Sequence, residues 1–250
     1  MARKVNIVLK LIKWELIKLA HQKKTCIAVV ILAALALFLA YAFSEFTMVE
    51  GVEMEADFDT TAIHPLLFPV LFLGGIIGLF IPLFAVLAVA EMFAGEYSAG
   101  TLKTLLVRPL GRTRIVATKL VAGYLNLLLL LFTASVFALL AGYLFFDTAS
   151  PLALQTVTGQ LEFASAGSVL LWSTGFIFLT SVPLMAFVVL ISFFATLFNS
   201  TAGVIMAALG YLVGLVILGQ VGLEQVRYFL QAEHFMIADR LLSSSVPLAN

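Results

Sequence analysis

Five stretches of this chain contain no Asp, Glu, Lys or Arg and are long enough to cross a lipid bilayer: about 25–43, 65–90, 120–145, 168–196 and 203–221. A helical crossing takes about 20 apolar residues. Hydrocarbon offers no partner to an exposed peptide group, so spanning segments are helices or closed barrels. The length of these runs and their lack of strict apolar–polar alternation point to helices. The chain therefore reads as an all-α polytopic transmembrane protein, one transmembrane domain over 1–250, placed in the cell (plasma) membrane. Composition agrees, since 62% of the residues are hydrophobic and 11% charged, where a soluble domain carries roughly a quarter charged residues.

The few charges are unevenly placed. Seven of the fourteen Lys and Arg lie in residues 1–24, and five more (Lys103, Arg108, Arg112, Arg114, Lys119) lie between 103 and 119. Glu45, Glu50, Glu53, Glu55, Asp57 and Asp59 crowd one loop without a basic neighbour. By the positive-inside rule the N-terminus and segment 91–119 are cytoplasmic, and loops 44–63 and 147–166 are external. Five spans then put 222–250 outside, as an amphipathic tail.

Residues 5–20 have a helical pattern with Asn6, Lys10 and Lys13 as a narrow polar stripe. A helix of this kind lies in the membrane interface with its lysines against anionic lipid. The basic region before the first run is longer than a signal peptide's, and the run exceeds an ordinary h-region, although Ala40-Tyr41-Ala42 fits a cleavage pattern. Pro82 and Pro183 are expected to kink the second and fourth spans. Gly74-x₃-Gly78 and Gly210-x₃-Gly214, with Gly203, allow helices to approach closely, within the chain or across a dimer seam.

Segment 91–119 stands apart. Glu91 and Glu96 end the second span, and Gly95 and Gly100 loosen the backbone after it. Thr101 can cap a short helix over 101–108 that carries Leu102, Leu105 and Leu106, and Pro109 stops it. Those leucines face either the membrane or a groove in a partner protein.

The joint pattern of Glu91, Gly95, Glu96, Gly100, Thr101, Leu102, Lys103, Leu106, Arg108, Pro109, Arg112 and Lys119 resembles the permease subunits of ABC-2 type ABC exporters. The resemblance implies a permease fold with an interfacial N-terminal helix. It also implies a cytoplasmic coupling helix that docks into a separate ATPase subunit, with those residues from Glu91 to Arg112, and Leu105, as the coupling set. It further implies a second permease copy or a paralogous permease as partner, ATP and Mg²⁺ bound by the ATPase, and six spans, of which five are predicted here. YFLQAEHFMIADRLL (228–242) resembles the external helices that follow the fifth span in that family.

The chain has no G-x₄-GK[ST] loop to cradle phosphate, so it holds no ATP site of its own. No nucleophile–histidine pattern supports catalysis, and the chain is not expected to be an enzyme. The single cysteine, Cys26, forms no internal disulfide, and no ligand spacing suggests a metal. Glu233, His234 and Asp239 read as an ordinary polar face. Membrane lipids are expected partners and nucleic acid is not. Charges are missing from the span interiors, which argues against an ion-coupled carrier and suits a hydrophobic or amphipathic cargo. A channel that uses no ATPase, or a non-transporting assembly or immunity protein, stands as the rival class.

Overall fold

The computed structural model describes residues 2–46, 63–96, 112–150, 152–156, 159–162, 165–198 and 200–220. Helix α1 runs Ala2–Ala20 and α2 Lys23–Phe46. Helices α3 (Phe68–Ile77) and α4 (Phe80–Ala90) follow, and a π-helical turn over Glu91–Gly95 continues α4. Helix α5 is Arg112–Phe145, α6 Ala166–Leu197 and α7 Thr201–Gln220. Three of these helices, α2, α5 and α6, are long and apolar enough to cross a membrane, and the broken pair α3–α4 counts as a fourth if it is one span. Helix α7 has 20 residues, of which Thr201–Gly214 form a shorter apolar stretch. The expected tail beyond 220 and the acidic residues from 47 to 62 lie outside the described residues.

The structure adds detail to two sequence expectations. The 147–166 loop carries a two-stranded antiparallel ribbon, β1 (Ala153–Thr156) and β2 (Gly159–Glu162), with Thr156 opposite Gly159 and Ala153 opposite Glu162. Thr156, at the end of β1, is β-branched, and such residues favour extended backbone. The break in the second span falls at Gly78–Leu79, ahead of Pro82. Proline lacks the N–H that would reach the carbonyl four residues back, and its ring crowds that carbonyl. Gly78 is that residue, so the helix stops there and restarts at Phe80 with Leu83 N–H bonded to Leu79 O at 3.0 Å. Pro183, in contrast, lies inside the continuous α6.

The chain packs as two compact units. The first comprises Met1–Ala28, Gly78–Leu130 and Ser181–His234, and the second Val29–Ile77, Leu131–Thr180 and Phe235–Asn250. In the first unit α4 and the π turn pack on α7. Tyr211 of α7 sits against Phe187 and Phe194 of α6, with ring centroids 6.2 and 6.4 Å apart. The Tyr124 and Ser181 hydroxyls are 2.7 Å apart and link α5 to α6.

In the second unit Leu32, Ala36 and Ala40 of α2 and Ala134, Ala138 and Ala141 of α5 are buried. Small residues at four-residue spacing let helix backbones approach closely. Gly142 extends the α5 row, and a Cβ there would lie 2.9 Å from the Pro65 carbonyl oxygen and 3.3 Å from Phe68 Cβ. His64 organises the turn that precedes α3, where its Nδ1 accepts from Leu66 N–H at 3.1 Å and its carbonyl from Leu67 N–H at 2.9 Å.

Leu171, Val182, Phe193 and Leu197 on α6 and Met206, Val213 and Ile217 on α7 are exposed. Aligned apolar faces of this size are unsuited to water and suit lipid.

Candidate functional site

The charged residues that bracket segment 97–111 converge in the first unit. Glu96 follows the π turn, and Lys119 lies seven residues into α5. The apolar run of α5 begins at residue 120, so Lys119 sits at the margin of the spanning segment. Lys119 is nonetheless 1% exposed and Glu96 6%. Buried charges of this kind need partners, because desolvating an ion costs several kcal/mol.

The partners are present. Lys119 Nζ donates to Glu96 Oε2 at 2.7 Å and to the Met92 carbonyl at 2.9 Å. Its third neighbour is Glu15 Oε1 of α1, at 3.3 Å. Two of the ammonium's three donors are thus hydrogen-bonded, and the Glu15 contact is an ion pair. The Phe93 ring centroid lies 5.7 Å from the same nitrogen, within cation–π range. Lys18 of α1 donates to the other Glu96 oxygen, Oε1. Glu15, Lys18, Glu96 and Lys119 thus form a neutral network that fastens α1 to the end of α4 and the start of α5.

The helix end at Glu96 makes one of these bonds available. In an α-helix the Met92 carbonyl would accept from Glu96 N–H, but here that N–H turns to Phe93 O. The Met92 carbonyl is taken by Lys119. π segments are rare and recur at functional sites. Gly95 sits in a tight place, since a Cβ there would be 3.3 Å from Glu91 Cγ and 3.5 Å from Thr201 Cγ2.

A second, looser pair lies beside the network. Lys24 Nζ of α2 is 3.0 Å from Glu91 Oε2, with both side chains partly exposed. That oxygen makes no aligned hydrogen bond, so the contact is electrostatic and worth at most about 1 kcal/mol. Gln22, Lys24, Thr25 and the buried Asn126 line a cavity of about 20 Å³ together with apolar side chains of α4 and α5. That volume suits one water.

Burial pushes the Glu96 carboxyl up, but hydrogen bonds from Lys119 and Lys18 and the charges of both lysines outweigh it, so the carboxyl stays below its ordinary value of 4.5. Glu96 is therefore ionised at neutral pH.

Of the residues read as coupling elements, the structure brings Glu91, Gly95 and Glu96 into this cluster. Gly100, Thr101, Leu102, Lys103, Leu105, Leu106, Arg108 and Pro109 lie outside the described residues, and Arg112 opens α5. Of the packing glycines, Gly74, Gly78, Gly210 and Gly214 face open space among the described residues, while Gly203 lies against Phe198 and Ser200 of its own turn. The α6 hydroxyls of Ser173, Thr180 and Ser192 bond to carbonyls of their own helix.

Residues 70–243 match the family described as "Protein of unknown function (DUF2705)". The chain belongs to the DUF2705 family. No curated protein matches it. The DUF2705 match takes in Glu91, Glu96 and Lys119, whereas Glu15, Lys18 and Lys24 precede it.

Sequence reasoning did not assign those three preceding residues to the site, and Lys119 entered only through the family pattern. One signal was available, because Glu15 is the only acid in the first 44 residues, among seven bases. Lys18 and Lys119 pair with Glu96, and Lys24 with Glu91.

Proposed function

We propose that this DUF2705 member is the membrane-spanning permease subunit of an ATP-driven ABC-2 type exporter. In this reading the chain crosses the membrane five times with its N-terminus in the cytoplasm. It pairs with a second permease copy or a paralogue, and a separate subunit binds and hydrolyses ATP with Mg²⁺. Closure of two ATPase subunits displaces the 101–108 segment of each permease. That displacement passes to the spans as a rigid-body movement.

One observation carries the reading. The chain enters segment 97–111 from Glu96 and leaves it toward Lys119, and these two residues are bonded to each other and to α1. A pull on the segment would therefore move α4, α5 and α1 together instead of fraying one helix end. The self-bonded α6 hydroxyls leave little free polar surface there for a hydrophilic cargo, which favours a hydrophobic or amphipathic one.

The test is co-expression with an ATPase that carries a Walker A motif and is encoded in the adjoining reading frame. The two chains are expected to co-purify from membranes in mild detergent. A well-folded chain that retains no ATPase under those conditions would remove the proposal.

A further inference from the structure

Asn126 lies on α5 two helical turns beyond Lys119, inside the apolar run that starts at 120. It is 6% exposed, and no described residue forms a hydrogen bond with its side-chain amide. A buried amide without a partner is costly, and hydrocarbon supplies none. The side chain lines the cavity of about 20 Å³ in the first unit. Gln22, Lys24 and Thr25 enclose that cavity from the turn between α1 and α2, and Phe84 and Leu87 enclose it from α4.

We infer that this cavity is a binding site for one internal water, held by Asn126, which bridges α5 to the α1–α2 turn. Size and chemistry both select water over an ion. A cavity of this volume takes a single water when two or more polar groups meet it. The Asn126 and Gln22 amides each offer donors and an acceptor. The Thr25 hydroxyl gives its proton to the Leu19 carbonyl at 2.7 Å, so it can only accept a further bond. A bare anion has no proton to give Thr25. A metal cation accepts nothing from the amides and would lie beside the Lys24 ammonium. That ammonium already has a counterion in Glu91. Water donates to Thr25 and accepts from Asn126. Helix α5 then holds α1 and its turn at two places, through the Lys119–Glu15 ion pair and through the water on Asn126. The inference does not depend on an ATPase.

The test is proton-detected solid-state NMR of the full chain in lipid bilayers, with leucine and asparagine isotopically labelled. Asn126 is the only asparagine that follows a leucine, so its signals are identified without a variant. A direct cross-peak from water to the Asn126 side-chain amide is expected. It should persist in Thr25→Ser and fall several-fold in Thr25→Val, which keeps the side-chain shape without the acceptor. It should be unchanged in Lys24→Ala and when chloride is replaced by gluconate. An Asn126 amide without water contact in the wild-type chain would overturn the proposal. Equal cross-peaks in Thr25→Ser and Thr25→Val would overturn the bridge to the turn. An Asn126 signal that depends on chloride and on Lys24 would place a small anion in the cavity and overturn the choice of water.

Discussion

Lys119 Nζ and Glu96 Oε2 are 2.7 Å apart, both side chains are almost fully buried, and the fifteen-residue segment 97–111 begins just after the glutamate. Their pairing closes the base of that segment. Glu15 and Lys18 extend it into a four-membered network, so the removal of one member leaves others charged and unmatched.

Lys119→Met should cost about 3–5 kcal/mol, because Glu15 would then lose its cation and the buried Glu96 would keep only Lys18. The measurement is a thermal or denaturant midpoint in detergent. Lys119→Met/Glu96→Gln should recover part of that loss, as residues in one network do not act additively. A double variant as unstable as the sum of the singles would show that the pair is not coupled.

Acid should weaken the same network. The Glu96 carboxyl is lower in the folded chain than its ordinary value of 4.5. A depressed carboxylate contributes stability above the unfolded value, and that contribution is lost as the pH falls through the folded one. Stability attributable to Glu96 should therefore be complete at neutral pH and decline below about 4.5. Glu96→Gln should flatten that part of the profile, as read by melting temperature against pH.

Lys24→Ala should change stability by less than about 1 kcal/mol, since its pair with Glu91 is partly exposed and unaligned. The contrast with Lys119 is the informative quantity. A loss at Lys24 equal to that at Lys119 would mean that burial does not set the scale here.

Gly142→Ala should destabilise by about 1–3 kcal/mol, because the new Cβ meets the Pro65 backbone at 2.9 Å. Gly210→Ala should not lower stability, since nothing described lies within 4 Å of its Cβ position. Parallel melting curves of the two variants check both.

These sites also mark where sequence reasoning reached and where it stopped. Uncharged runs locate helices well, because hydrocarbon leaves the backbone no alternative. They locate ends poorly, and α5 starts at Arg112 because its polar first turns need not sit in lipid. At Gly74, Gly78, Gly210 and Gly214 no described atom lies within 4 Å of a Cβ position, while the Ala134, Ala138 and Gly142 row, which spacing did not single out, packs inside its unit. Spacing alone does not say which helix face is inward. Glu15 and Lys119 are over a hundred residues apart, and only packing of α1 on α5 brings them together. The lysine partners of Glu96 were illegible for the same reason.

The most direct test of coupling is ATP turnover in the purified complex of this chain with the ATPase of the adjoining reading frame. The expected result is that the wild-type chain alters turnover, and that Leu102→Asp/Leu106→Asp abolishes both the complex and the effect while the chain keeps its melting temperature. Turnover that is the same with the wild-type chain, with the variant and with neither would contradict the permease reading.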